Sequence, residues 1–451
     1  MRRIKIEKRP NATRLVQSQG LVYSYEPSPP SSVMAPASKS TTPSRPRRSL
    51  LEAAGQDVFA MCCEAADYLI AASWAREPAW GSVYGRFDFY EFNADTPTSL
   101  VEAATIQWQW LEQTGHGRDQ FNALTERLVP AWRRNLALIE QGALGGCRPA
   151  VVHFAASRGE PSGRGRHEHH AVDGDPIFMD QIGQSKHDGR FYDHKSRHLD
   201  VVFKLYPWEW MVEQPFGEAC FRDMERGEDV LLSSGGGQYT GGTVWIEAPY
   251  KMVWSNKGLF AVLWQLFRDD PRSKWLLTTY FEAEAPASLT RYARKPLLAR
   301  EGADVTLHFD GQVLDDTQTG QYGKEGYVLQ ELAVLPAFRD DRQAGLQKEK
   351  EKEKGKDEQD VDVPTTYYPV LGLWFVDGEP AGMGIREDTR KITANGSWFI
   401  RHSISDGEVT YERKPVPDAA EIQALLTLEN YQDLTSNSNG VLDYIEGITR
   451  E

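Results

Sequence analysis

The stretch "GRFDFYEFNADTP", Gly85 to Pro97, crowds Arg86 and Asp88 against Glu91, Asn93 and Asp95 in a strongly β-forming context. On one continuous strand successive side chains face opposite sides, so Arg86 and Asp88 would point away from Glu91 and Asn93. If Phe89 and Tyr90 instead make a two-residue turn, Asp88 pairs across from Glu91 and Arg86 from Asn93, and all four share a face. That turn has a cost, because two-residue hairpin connections favour Gly, Asn or Asp at positive φ and neither Phe nor Tyr suits that region.

Around this stretch the chain is long and acidic. With 451 residues, 40% of them hydrophobic, and 13 tryptophans, it can bury one large core or two to three smaller ones, which predicts a multi-lobed globular protein. The 51 basic and 65 acidic residues leave a net charge of -14, which opposes general affinity for nucleic acid or anionic membrane, since both need a cationic surface. Cys62, Cys63, Cys147 and Cys220 form no CxxC pair, so neither a disulfide framework nor a zinc site is implied. No apolar run approaches the ~18 residues of a membrane span, and "MRRIKIEKRP" lacks the apolar core of a secretory signal. A cytoplasmic protein is expected.

Two segments read as disordered. Glu26 to Arg48 is rich in Pro, Ser and Thr, and Arg339 to Pro364 alternates Lys and Glu with no apolar stripe. Helical periodicity runs over Leu50 to Ala75, Leu100 to Thr114, Asp119 to Gln141 and Ser255 to Phe267, the last opening on Ser255 as N-cap. Strands fit "CRPAVVHFAA", "LDVVFKLY", "DVTLHFDGQVL", "GYVLQEL", "YPVLGLWFVDGEPAGMGIRE" and "GEVTYERK", several joined by Asp-Gly turns that favour hairpins. The class is therefore α/β (α+β). "FKLYPWEWM" also reads as a buried strand, with Trp208 and Trp210 on one face and Glu209 on the other. Its aromatics suit core or an amine-substrate wall, and Lys204 and Glu209 are second-tier candidates.

Separated basic residues carry the candidate chemistry. Lys295 and Arg300 flank a turn ending in Glu301 and Gly302, where glycine lets backbone N–H groups approach a phosphate; a basic surface turn is the alternative. The G-x-x-x-x-G-K-[ST] pattern of a P-loop is absent. Lys257, just inside the helix expected from Ser255, lies where a helix dipole and an ammonium could act on one anion, or where a lysine is simply solvated. Arg386 follows a Gly-rich strand end. His167, His169 and His170 have no partner at ligand spacing and read as a solvated loop, and "SSGGGQYTGG", Ser233 to Gly242, reads as a linker.

In order along the chain, "MRRIKIEKRPNA", "GRFDF", "EFNADTPTSLVEAA", "FKLYPWEWM", "SNKGLFAVLWQLF", "KPLLAREGADV", "GYVLQELAVLP" and "AGMGIRED" resemble the glutathionylspermidine synthase family, most closely its stand-alone acid–amine ligases without an amidase domain. The resemblance implies a permuted ATP-grasp fold behind a pre-ATP-grasp lobe. It divides the chain into an N-terminal segment (1–25), a disordered linker (26–49), a pre-ATP-grasp lobe (50–200), ATP-grasp lobes (201–410, with an insertion at 339–364) and a C-terminal extension (411–451). It further implies ATP-dependent joining of a small-molecule or peptide carboxylate to an amine through an acyl phosphate, with ATP and Mg²⁺ as cofactors and no nucleic-acid or membrane partner. By the same resemblance Asp88, Glu91 and Asn93 hold Mg²⁺, Arg86 and Arg300 stabilise the phosphoryl group, and Lys257 and Lys295 grip ATP phosphates. The adenine hinge falls on Gln330, Glu331, Leu332 and Ala333. Gly302, Lys391, Ile392 and Thr393 lie near the nucleotide, Arg386 reaches its phosphates, and Thr96 contacts the acid.

Two departures stand out. Relatives separate "RFDF" from "EFNAD" by about ten residues, whereas only Phe89 and Tyr90 do so here, so a metal site requires the turn; Asp95 is the nearest substitute ligand. Between "VVHFAA" and "FKLYPWEWM" an acidic pair and helix of the family give way to a Gly-, His- and Arg-rich stretch. The alternative to an active ligase is therefore a catalytically impaired nucleotide-binding homologue or a shortened chain.

Overall fold

The computed structural model describes residues 2–5, 32–35, 45–71, 85–88, 91–115, 117–141, 143–144, 151–157, 175–230, 241–317, 319–333, 335, 337–340, 365–394 and 396–404. They form a mixed α/β architecture around three larger sheets.

The first sheet is wholly parallel, in the order Val244–Ile246, Val201–Leu205, Val152–Ala156, Asp175–Phe178. Parallel neighbours need crossover connections, and helices Trp208–Glu213 and Gly217–Val230 lie between the Val201–Leu205 and Val244–Ile246 strands. Both faces are covered, so the strands read as apolar runs. Phe154, Phe203 and Ile246 pack with Leu124, Ala131 and Ile139, while Ala155, Val202 and Trp245 pack with Trp208, Met211 and Cys220. Burial pushes the Cys220 thiol up to about 12, which leaves it an inert packing group.

The second sheet is antiparallel, in the order Trp398–Ile400, Glu379–Asp388, Thr365–Val376, Gly85–Asp88, Glu91–Asn93. Phe92, Leu373, Phe375 and Ile385 pack against helices Arg45–Ala71 and Gly258–Phe267, each buried side chain contributing about 1.5–3 kcal/mol. Trp374, Val376 and Phe399 instead join the core shared with the parallel sheet. A third, five-stranded antiparallel sheet runs Thr279–Phe281, Tyr327–Glu331, Arg291–Pro296, Thr306–Phe309, Gln312–Asp316.

Several sequence expectations change. The boundary drawn at residue 200 cuts through the parallel sheet, and the 85–93 hairpin belongs to the same sheet as residues 365–400, because strand pairing follows spatial rather than sequential order. Ser32–Ala35, inside the stretch read as a disordered linker, pairs antiparallel with Arg2–Lys5, and the first long helix begins at Arg45 rather than Leu50. Phe338–Asp340, at the edge of the expected insertion, pairs with the start of Thr365–Val376. The helix read from Asp119 begins at Leu124, because Asp119 and Asn122 are engaged in bridges to Ile404 and Gly382. Leu100 to Thr114 contains a π-helical segment, Glu102–Ile106.

"FKLYPWEWM" is not one strand. The strand ends at Leu205, Pro207 precedes a helix over Trp208–Glu213, and Trp208 is buried while Trp210 is exposed. The helix read from Ser255 is two: Lys251–Ser255 and Gly258–Phe267, separated by extended Asn256. Lys257 therefore immediately precedes the second helix. "GEVTYERK", the His167 to His170 cluster and most of Ser233 to Gly242 lie outside the described residues. Gly242 itself is closely packed, since a Cβ there would meet the Asp223 carbonyl oxygen at 1.6 Å.

Candidate active site

The stretch from Gly85 to Asn93 is a hairpin at the level of strand pairing: Gly85–Asp88 and Glu91–Asn93 run antiparallel, with Asp88 opposite Glu91 and Arg86 opposite Asn93. On the neighbouring strand Asp88 is opposite Gly372, and Gly372 is in turn opposite Gly384, so a cross-strand row of two glycines extends from Asp88. Arg386 sits two residues along from Gly384, at a register position of the same face. Phe89 and Tyr90 lie outside the described residues.

Immediately after the hairpin the chain is gripped from several directions. The Asn93 Oδ1 accepts the Thr96 N–H at 3.3 Å, and the Ser255 hydroxyl oxygen accepts the N–H groups of Ala94 at 3.3 Å and Asp95 at 3.1 Å. Thr96 is buried, and its Oγ1 accepts from Arg300 Nη1 at 2.6 Å. The same guanidinium donates from Nε to Glu209 Oε1 at 2.8 Å and has Nη2 2.6 Å from that oxygen. Asn93, Thr96 and Arg300 are thus linked by hydrogen bonds across the metal-candidate strand and the loop after Arg291–Pro296.

Asp95, considered as a substitute metal ligand, is fully buried and already committed: Oδ1 accepts from Lys204 Nζ at 2.6 Å and Oδ2 from the Trp208 N–H at 2.8 Å. Burial lowers the Lys204 pKa, and the adjoining Asp95 carboxylate opposes that shift. Glu209 joins Arg300 because helix Trp208–Glu213 turns its first acidic residue inward; a strand would not. A second buried pair, Glu247 and Lys251 at 2.9 Å, is tied to Trp208, whose Nε1 donates to the Glu247 carbonyl at 2.8 Å.

Lys257 reaches the loop that carries Arg300, and Lys295 lies on the strand that precedes it. The Lys257 N–H donates to the Leu297 carbonyl at 2.9 Å and its Nζ to the Ala299 carbonyl. Lys295 Nζ donates to Gln330 Oε1 at 2.7 Å, and Gln330 Nε2 to Thr279 Oγ1 at 3.2 Å. Beyond Gln330, the N–H groups of Glu331 and Leu332 donate to the carbonyls of Thr278 and Arg291, and Ala333 follows half-buried. Gly302 holds φ 71°, and its missing side chain serves a close approach of backbone: a Cβ there would lie 2.3 Å from the Thr393 carbonyl oxygen. Ile392 packs with Ala293, Val305 and Leu307, which ties the 391–393 segment to the third sheet. Lys391 lies over the Tyr368 ring at 5.0 Å, and Arg386 donates from Nη2 to the carbonyls of Ala394 and Ser397, both at 2.9 Å.

Asp304 organises the adjoining loop. Its carboxylate accepts the N–H groups of Thr319, Gly320, Gln321 and Tyr322 and the Thr319 hydroxyl. Burial works to raise its pKa, but these donors outweigh it and hold the group at about 2. Upstream of Lys204, where a family helix was expected to be missing, residues 175–200 supply the edge strand Asp175–Phe178 and a loop closed by Asp193, which accepts from the N–H groups of Lys195 and Arg197 at 2.8 Å each.

Among the described residues no group of three His, Cys, Asp or Glu side chains could hold a metal. The donors at the hairpin are two carboxylate residues and one amide at adjoining register positions, the oxygen chemistry that suits a hard divalent cation. No described helix is long and apolar enough to cross a membrane.

The class this organisation defines is a mixed α/β protein in which Lys257 and Arg300 meet at the 297–302 loop and Arg300 reaches Thr96, three residues past the Glu91–Asn93 strand. The chain belongs to the glutathionylspermidine synthase preATP-grasp family, which it matches over residues 3–405. It is 31% identical over 359 residues to a Haemophilus influenzae protein provisionally named an acid–amine ligase, covering 74% of this chain and 77% of that one. It is 23% identical to trypanothione synthetase of Crithidia fasciculata (72% of this chain, 48% of the relative) and 25% identical to the bifunctional glutathionylspermidine synthetase/amidase of Escherichia coli (58% and 44%). The match thus spans about half or less of these last two relatives.

Proposed function

We propose that the chain is an ADP-forming acid–amine ligase on a permuted ATP-grasp fold, joining a small-molecule or peptide carboxylate to an amine through an acyl phosphate. The observation that carries this is the loop from Leu297 to Gly302. It accepts from Lys257 at two carbonyls, follows the strand that bears Lys295, and places Arg300 on Thr96.

Lys257 and Lys295 bind the nucleotide phosphates as point charges, with Gln330, Glu331, Leu332 and Ala333 along the adenine and Gly302, Lys391, Ile392 and Thr393 enclosing it. Arg300, Arg86 and Arg386 face the transferring group, because a guanidinium keeps its charge at any working pH. Thr96 orients the acid. Asp88, Glu91 and Asn93 would hold magnesium, which when bound offsets charge on the phosphate oxygens. A carboxylate oxygen of the acid attacks the γ-phosphorus as the bond to the β-phosphate oxygen breaks, releasing ADP. The amine nitrogen then attacks the acyl carbon, phosphate departs, a proton leaves the nitrogen, and the amide remains.

The test is ADP release from ATP and Mg²⁺ across pools of carboxylates and amines. Release that requires one member of each pool supports the ligase. A chain that binds nucleotide but releases no ADP with any pair is the impaired homologue instead.

A further inference from the structure

We propose that Asp95 and Lys204 are positioning residues of this site: a buried ion pair that holds Asn93, Thr96 and Arg300 in register with one another. The inference rests on the ligase reading for the roles of those three groups, while its geometry stands by itself.

Both partners are fully buried and 2.6 Å apart, Lys204 in the parallel sheet and Asp95 two residues beyond a strand of the antiparallel one. Asp95 lies in the short segment after the hairpin, between Asn93 and Thr96; Lys204 lies in the central parallel strand Val201–Leu205. Each makes further bonds that fix its place. The other Asp95 oxygen accepts from the Trp208 N–H at 2.8 Å and stands 3.8 Å from Arg300 Nη2. Lys204 Nζ also donates to the Tyr206 carbonyl at 2.9 Å and lies 4.7 Å from the Trp208 ring centroid. Asp95 therefore stands between two cations, and Glu209 holds the Nε and Nη2 edge of the Arg300 guanidinium. Two carboxylates and two cations balance, so the guanidinium is held in place without net charge accumulating around it.

Stability alone does not account for such a pair. Desolvating two ions costs several kcal/mol each, and well-packed apolar residues of similar volume are often as stable or more so. What an ion pair adds is a defined direction, and here the direction fixes a segment whose neighbours on either side face the metal and the acid.

The experiment compares Asp95→Asn, Lys204→Met and the double variant. Three quantities are read: thermal midpoint, kcat and KM for ATP in ADP release, and affinity for a fluorescent ATP analogue with and without Mg²⁺. Asp95→Asn strips the Lys204 ammonium of its carboxylate and Lys204→Met leaves Asp95 only the more distant Arg300, so each single variant lowers the midpoint; the double variant restores it. If the pair positions the site, the double variant still loses at least tenfold in kcat. Its Mg²⁺-free analogue affinity stays within about twofold of wild type, since Lys257 and Lys295 are untouched, while the gain in affinity on adding Mg²⁺ is diminished. A double variant that recovers stability, kcat and the Mg²⁺-dependent gain together overturns the proposal and leaves a structural pair. Wild-type chain that binds the analogue without releasing ADP defeats the ligase reading, and the Mg²⁺-dependent affinities of the variants then decide the positioning role separately.

Discussion

Arg300 and Thr96, 204 residues apart in the chain, are joined by a 2.6 Å hydrogen bond from Nη1 to Oγ1, and the same guanidinium holds Glu209 through Nε. The fork matters as much as the charge. Arg300→Lys keeps a cation but cannot span both partners, so kcat for ADP release should fall by about a hundredfold, with KM for ATP changed little. Equal kcat in the lysine variant would place Arg300 outside the chemistry.

Lys295 contacts Gln330 within the third sheet, and the proposed role of both is the nucleotide. Lys295→Ala should weaken ATP binding by about 1.5–3 kcal/mol, the worth of one hydrogen bond to a charged group. Isothermal titration with ATP checks this; unchanged affinity would count against the assignment.

Gly302→Ala is expected to be costly for a local reason. The residue holds φ 71°, and the added Cβ would lie 2.3 Å from the Thr393 carbonyl oxygen. Left-handed strain alone costs about 1–3 kcal/mol, and the clash forces the 391–393 segment away. Urea denaturation should show the lower midpoint, and the variant should also bind ATP more weakly; wild-type stability would mean that the loop relaxes freely.

Acid should destabilise the protein through His402. The imidazole is buried, accepts the Phe121 N–H at Nε2 at 2.9 Å, and has its pKa pushed down to about 3 by burial. The unfolded chain binds that proton near pH 6.5 and the folded one does not, so stability is flat above about 6.5 and falls as pH drops toward about 3. The slope from this one group is about 1.4 kcal/mol per pH unit. Urea unfolding at several pH values checks the slope, and His402→Gln should flatten it; an unchanged slope in that variant would assign the effect elsewhere.

Local turn chemistry was legible and long-range pairing was not. Asp310-Gly311 and Asp377-Gly378 close two hairpins with φ of 48° and 85°, and of 54° and 79°, the left-handed pair that Asp-Gly supplies. The parallel sheet had no such marker, since its strands meet through crossovers. The break at Asn256 escaped helical periodicity because tertiary bonds impose it: the Lys257 N–H goes to Leu297. Side-chain parity cannot detect the turn inside "FKLYPWEWM", where Pro207 ends the strand run and caps the helix over Trp208–Glu213. In the site, the candidate basic residues could be picked out singly, but the partnership of Lys204 with Asp95 spans 109 residues and no spacing in one sequence announces it. A lysine inside the apolar run "VVFKLY" was the available hint.

Trapping the activated acid tests whether the γ-phosphoryl group of ATP activates a carboxylate. With the carboxylate, ATP, Mg²⁺ and hydroxylamine, wild-type chain should form hydroxamate and ADP in a one-to-one ratio, and Asp88→Asn should form little of either while unfolding at the wild-type midpoint. Formation of AMP and pyrophosphate, or amide product with no trappable hydroxamate and no ADP, would contradict it.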